Sequence, residues 1–258
     1  DAITYGVSSG FSHYLDEKNC YLSGQLAYTH SNLHWEKEAG NATWSTFYFG
    51  PAIGWTFEKM KGYADVALLG AFNFYDVDRR IVFPGLKRVA YNRHNSYDVL
   101  VRADGGFRFD WRAFFIQPEV SFSFLTIFEE NYIEKGASSL DLRVDANYHI
   151  YLRPEITVRA GHEFCYDNEL CLFPNLKLGW LANIPLASDT YSARCENETF
   201  PDNNEFSVKS FHRVTNNLVF GAEVGIKKAR FAFIAAYEAN FLDYNIVQEG
   251  KLRAEWCF

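Results

Sequence analysis

The sequence predicts an all-β protein, a transmembrane antiparallel β-barrel of about twelve strands (twelve to fourteen), and three observations carry that prediction. Apolar and polar residues alternate strictly through one segment after another. Many of those segments reach ten residues, the length a tilted strand needs to cross a bilayer, whereas strands of soluble sandwiches run nearer five or six. Aromatic residues make up 18% of the chain while Met occurs once, and a barrel in lipid displays aromatics on its outer band and interfacial girdles.

Successive strand residues point to opposite faces, so a strand in lipid must be apolar outside and polar inside. Strands are expected near 2–14, 20–35, 43–57 and 63–75. The next is the clearest: Tyr97, Val99, Val101, Ala103, Phe107 and Phe109 oppose Asp98, Arg102, Asp104 and Arg108. After the turn 110–112, Phe114, Ile116, Pro118, Val120, Phe122 and Phe124 oppose Gln117, Glu119, Ser121 and Ser123. Leu140 to Ile150 alternates with Asp141, Arg143, Asp145, Asn147 and His149, and Ile156, Val158 and Ala160 alternate with Glu155, Thr157 and Arg159. Further strands fall near 173–184, 186–195, 217–226, 230–241 and 251–258, the last with Leu252, Ala254, Trp256 and Phe258 on one face.

Short links are expected at 58–62, 110–112, 151–153 and 227–229, and long polar ones at 76–95, 128–138, 166–172 and 196–212. Outer-membrane barrels put short turns on the periplasmic side and long loops outside. The two sets alternate only if a strand lies between residues 184 and 196, which is the reason for placing one there.

Length allows one domain over 1–258. Net charge is −7 with basic residues scattered, so no nucleic-acid footprint is visible. The longest uncharged runs, Asn19–Trp35 and Ala39–Phe57, are broken by Ser, Thr, Asn and Gly and do not make a membrane helix. Cys165 and Cys171 flank a short polar segment: they either pair in an oxidising compartment or remain free thiols. No Cys/His cluster has zinc spacing, so neither metal nor cofactor is expected.

The charged face supplies the candidate functional residues. Glu119, Arg143, Arg159, Glu223, Glu238, Arg253 and Glu255 are expected to face a wet lumen and to satisfy one another there. Trp44, Trp55, Trp111, Trp180 and Trp256 are expected as interfacial anchors. An Arg should be costly at outward Phe122 and tolerated at inward Ser121. Ser121 and Ser123 share the presumed lumen face with His149, Asp141 and Asp145, but a nucleophile and base must meet within hydrogen-bond reach, and no HExxH is present. No enzyme is expected.

Several runs resemble the autotransporter β-domain family. Phe115-Ile116-Gln117-Pro118-Glu119-Val120 followed by Glu134-Lys135-Gly136-Ala137 is similar to its proline-opened strand and acidic-Gly-Ala loop. Pro154-Glu155-Ile156 with Gly161-His162-Glu163-Phe164 resembles a later strand ending in His-Glu-Phe, and Tyr237-Glu238-Ala239-Asn240-Phe241 its penultimate strand. Phe258 matches the aromatic C-terminus that such barrels present to their insertion machinery. The motifs cover roughly residues 95–258, and the earlier part matches by pattern.

The resemblance implies a twelve-stranded outer-membrane barrel of type V secretion that carries its own N-terminal passenger to the cell surface. Those barrels hold an α-helix in the pore ahead of the first strand, which this sequence begins too late to show. The expected partners are outer-membrane lipid, the barrel assembly machinery, which reads Trp256 and Phe258, and the chain's own passenger. The alternative is a free-standing porin-like channel for passive diffusion.

Overall fold

The computed structural model describes residues 2–15, 19–35, 39–166, 170–187, 190–196, 205–209, 214–242 and 246–256. Its strands are β1 (Ala2–Leu15), β2 (Cys20–His34), β3 (Gly40–Phe57), β4 (Gly62–Phe83), β5 (Leu86–Phe107), β6 (Phe109–Trp111), β7 (Phe114–Glu129), β8 (Tyr132–Ile133) and β9 (Leu142–Val144). There follow β10 (Asn147–His162), β11 (Phe164–Tyr166), β12 (Leu170–Pro185), β13 (Thr190–Cys195), β14 (Glu205–Lys209), β15 (Thr215–Lys228), β16 (Phe231–Phe241) and β17 (Ile246–Trp256).

Eleven long strands form one strongly curled sheet in the order β1-β2-β3-β4-β5-β7-β10-β12-β15-β16-β17, with β6 added on β7 and β11 on β12. Neighbours are antiparallel throughout. The first and last strands therefore run in the same direction. Among the described residues β1 pairs only with β2 and β17 only with β16.

The two faces of the sheet invert the usual order of a soluble protein. On β7, Ser121 and Ser123 are 4% and 5% exposed while Phe122 and Phe124 between and beyond them are 53% and 42% exposed. The same holds across the wall: Thr46 donates to Asn73 at 2.6 Å and Asn73 to Ser96 at 2.8 Å, all buried on the polar face of β3, β4 and β5. Their outward neighbours Phe47, Phe72, Phe74 and Tyr97 are exposed. Leaving apolar area in solvent is unfavourable unless that solvent is lipid.

Prolines sit where the ladder is interrupted, because Pro has no N–H to donate. Pairing of β3 with β4 jumps from Phe49↔Gly70 to Ala52↔Ala67 around Pro51. Pairing of β10 with β12 jumps from Leu152↔Ile184 to Glu155↔Leu181 around Pro154, which still faces Phe122 on β7. On the inner face a Cβ at Gly161 would stand 2.6 Å from the Phe115 ring, so glycine is needed for that ring to lie flat across the neighbouring strand.

Five expectations about the strands and their connections are corrected. Residues 151–153 are not a turn: β10 runs straight through them, since Pro154 breaks one ladder without ending the strand. The connection expected at 166–172 falls instead at the end with the short turns, beside 58–61, 108–113 and 229–230, where β11 pairs with β12 and a Cys165–Cys171 disulfide joins the two with Cα atoms 4.1 Å apart. With those two assignments exchanged, alternation needs no wall strand between 184 and 196, and β13 lies in a separate sheet. The span 76–95 is not a loop, because β4 and β5 extend through it to a two-residue turn in which Gly85 takes φ +81°. Residues 140–150, finally, do not make one strand; a 3-10 turn at 138–140 and β9 precede the start of β10.

The long connections β7–β10 and β12–β15 fold together as a four-stranded sheet, β14-β13-β9-β8. It leans on the inner side of the β4–β5 extension. Ala137 and Leu140 pack on Ile81 and Ala90, and Tyr91 bridges to Lys135 through paired backbone bonds. Arg79 clamps Glu134 through two bonds, 2.9 and 2.5 Å.

Candidate translocation pore

The inner face of β5, β7, β10, β12 and β16 carries a connected set of charges. Lys177 Nζ lies 3.0 Å from Glu155 and 3.2 Å from Glu238. Arg102 reaches Asp104 at 3.0 Å and Glu155 at 3.6 Å. Arg159 lies 3.7 Å from Glu119, which also accepts from Gln117 at 2.6 Å and Thr157 at 3.3 Å. Ser121 donates to Glu155 at 3.4 Å. These groups line a cavity of about 200 Å³ against the wall. Cations and carboxylates fall in successive rows along the strands because register brings Arg102, Ser123 and Arg153 into one row, with Asp104, Ser121 and Glu155 in the next.

Of the residues expected inside, Glu119, Arg159 and Glu238 are brought into this network. Glu223 accepts from Asn175 at 3.0 Å on the same face. Arg253 and Glu255 pair with each other at 2.9 Å on β17, both well exposed. Arg143 is placed elsewhere: it lies on β9 of the small sheet and grips Glu196 with two 3.0 Å bonds. The pattern alone missed Lys177 and Glu155 as the centre of the network, although Lys177 stands between outward Leu176 and Leu178 and the alternation there could have marked it.

Outward, the end with the short turns carries a belt of exposed rings that includes Trp55, Phe57, Phe107, Phe109, Trp111, Phe114, Phe164, Tyr166, Phe231 and Trp256. Trp256 stacks on Phe231 at 5.2 Å. Phe258 and Cys257 lie outside the described residues. Trp180 is outward too, its indole donating to Asn216 at 3.2 Å. Trp44 is the exception among the expected anchors. It shares the inner face with Thr46 and stacks on Tyr75, which stacks on His94 at 4.8 Å, and His94 stacks on Tyr132 of the small sheet at 4.4 Å. Burial, then the neighbouring Glu134 carboxylate, pushes the Tyr132 phenol up to about 12.

The Ser and His residues are not brought together. His149 pairs with Ile127 while Ser121 pairs with Glu155, which separates them by roughly 20 Å along the ladder at 3.4 Å per residue. His149 instead bonds the Tyr191 hydroxyl of the small sheet at 2.7 Å. Asp141 accepts from the Ala137 amide at 2.7 Å, away from either serine. Among the described residues no group of His, Cys, Asp and Glu could hold a metal ion.

A curled antiparallel sheet with a polar, ion-paired interior and an apolar, ring-belted exterior defines the class: a β-barrel of the bacterial outer membrane. Residues 1–238 match the family model described as the autotransporter beta-domain, and the chain belongs to that family. It is similar to the translocator domain of the autotransporter NalP from Neisseria meningitidis, with a TM-score of 0.73 and 14% identity over 100% of this chain and 82% of that one. It is also similar to the beta domain of the Bordetella autotransporter BrkA, with a TM-score of 0.68 and 17% identity over 100% of this chain and 90% of that one. Likeness at such identity speaks to the fold. No curated protein matches by sequence. The chain is thus an autotransporter translocator, which moves a passenger across the outer membrane, and its family does not point to catalysis.

Proposed function

We propose that the inner face of the curled sheet is the wall of an aqueous path for the passenger, with Glu119, Arg159, Glu223, Glu238, Arg253 and Glu255 facing that path. The observation that carries this reading is the charge network centred on Lys177, in which ions satisfy one another without an apolar filling. Interior ions are costly unless paired or wet, and an ion-lined wall keeps water in the path. Arg143 acts at the mouth, where it holds Glu196.

All 258 residues then serve as one outer-membrane domain, with lipid against the exposed face and no cofactor or covalent chemistry. Lipid-facing backbone must be fully paired. Because β1 and β17 run the same way, one antiparallel strand between them would complete a wall of twelve. The aromatic C-terminal segment, Trp256 with Phe258, is the feature that the barrel assembly machinery reads.

The test is single-channel conductance in a planar bilayer, with and without a passenger segment fused ahead of β1. The translocator reading expects the fused segment to lower the conductance. A large conductance that the segment leaves unchanged would favour a porin-like channel instead. Deleting Phe258 should reduce assembly into outer membranes; undiminished assembly would remove the terminal signal.

A further inference from the structure

The turn between β15 and β16 gathers Lys227, Lys228 and Arg230 within four residues, all exposed. None of the three has an ion-pair partner among the described residues. Like charges at this spacing repel, so without an anion the cluster is unfavourable. Register fixes the surroundings of Lys228: it pairs with Leu170 on β12 and with Phe231 on β16, and Phe231 pairs with Trp256 on β17. Lys228 therefore stands in an outward row with Leu170, Phe231 and Trp256. Exposed Ile226 and Phe233 lie next above it, and exposed Val224 and Leu252 one row further toward the middle of the sheet. This rim is the end of the short turns, which in outer-membrane barrels faces the periplasm.

We infer that Lys228 and Arg230, with the stacked Phe231–Trp256 rings, bind the phosphate headgroup of an anionic phospholipid in the periplasmic leaflet. The geometry suits both parts of such a lipid. The apolar outward row meets acyl chain and glycerol, the aromatic pair sits at the level where amphipathic rings concentrate, and the Lys228 stem runs along apolar surface while its ammonium reaches the phosphate. Arg230, in the turn itself, closes on the same phosphate from the water side. The whole chain carries −7 and is repelled by an anionic surface, so any preference for anionic lipid must arise locally. The inference rests on the membrane placement described above.

The test refolds the full chain into vesicles of phosphatidylcholine alone and of phosphatidylcholine with phosphatidylglycerol, and follows heat-modifiable mobility against temperature. Wild type should gain a few degrees in midpoint in the anionic vesicles, on the order expected for two cations near a charged surface. High salt should erase the gain. The Lys228→Gln/Arg230→Gln double variant should match wild type in phosphatidylcholine and show no gain with phosphatidylglycerol, whereas Lys87→Gln at the opposite end keeps the gain. A double variant that retains the full gain overturns the site, as does one that loses only assembly in cells, which would point to a protein partner. Failure of wild type to insert into phosphatidylcholine would remove the membrane reading and the site with it.

Discussion

The wall and the small sheet are built from the same chain by opposite rules. In the wall Ser121 is hidden and Phe122 is bare; where the small sheet leans on the β4–β5 extension, Ile81 and Ala90 of the hairpin and Ala137 are hidden, as in any water-soluble core. Both are antiparallel sheet, so backbone pairing does not separate them. What separates them is the solvent each outer face meets. The wall turns its apolar side to lipid and keeps its polar side in a wet interior, whereas the small sheet stands beyond the bilayer and must bury its own apolar residues. The β4–β5 hairpin passes from one regime to the other. Its outward residues change from Leu68, Phe72 and Phe74 to Asp76, Asp78 and Arg80 within one strand.

The strongest way to break this comparison is an Arg on the lipid side. Phe122 pairs with Ala103 and Pro154 near the middle of β7, and Phe122→Arg should cost about 2–4 kcal/mol of stability in a bilayer. Urea unfolding from vesicles measures it, and a loss near zero would mean that this face does not meet lipid. The matching inner position is not Ser121, where the expected tolerance fails. Ser121 is buried and bonded to Glu155, in a cavity already holding Arg102, Arg159 and Lys177. Glu249, exposed on β17 and paired among the described residues only with its strand neighbour Lys251, at 2.8 Å, is the better control, and Glu249→Arg should cost far less than Phe122→Arg.

A second variant probes the other regime. Ile81→Ala removes the largest side chain of the small core and should cost about 2 kcal/mol, the low end for such truncations because the cluster is small. The loss should be local. Limited proteolysis should open 130–146 and 186–209 while insertion and heat-modifiable mobility stay as in wild type. Simultaneous loss of both would show that the small sheet and the wall form one cooperative unit.

Much of the wall was legible because lipid enforces period two on one face. The long alternations fixed which residues of β5, β7, β15 and β17 share a side. What alternation cannot give is where a strand ends. Pro154 looked like a turn and is a strand residue with one silent ladder, and the β4–β5 hairpin looked like a loop because its pattern turns polar as it leaves the bilayer. Trp44 could not be assigned a face from pattern, since Trp44 and Tyr48 on one side and Phe47 and Phe49 on the other are all aromatic. Arg143 fits the alternation of a wall strand, yet β9 pairs with β13, a contact between two connections far apart in sequence. The charge network was visible as residue types and invisible as partners, because Lys177 meets Glu238 only through the β12–β15–β16 register.

Within the wall, Lys177→Met asks how far the interior charges depend on one another. It leaves Glu238 without its nearest cation, while Glu155 keeps Arg102. The expected cost is about 1–2 kcal/mol, less than for a dry ion pair because the network borders an open cavity. The reversal potential across a salt gradient should move toward greater cation selectivity, as the path loses one positive charge. An unchanged reversal potential would mean that Lys177 does not border the conducting path.

The smallest effect lies at the periplasmic rim, where Asp110 accepts from Lys61 at 2.6 Å and from Arg108 at 2.8 Å. The Lys61 bond first, and Arg108 after it, hold the Asp110 carboxyl below its ordinary value. A carboxyl depressed in the folded state stabilises above its unfolded pKa, about 3.9, and that contribution fades as pH falls through the folded value. Both partners are partly exposed, so the effect is small and screened by salt. Thermal midpoints of wild type and Asp110→Asn should therefore differ by a constant small amount from neutral pH down to about 5 and converge in stronger acid. Curves that stay parallel into acid would show that the turn gains nothing from the Asp110 charge and is held by the backbone bond from Arg108 to Lys61 alone.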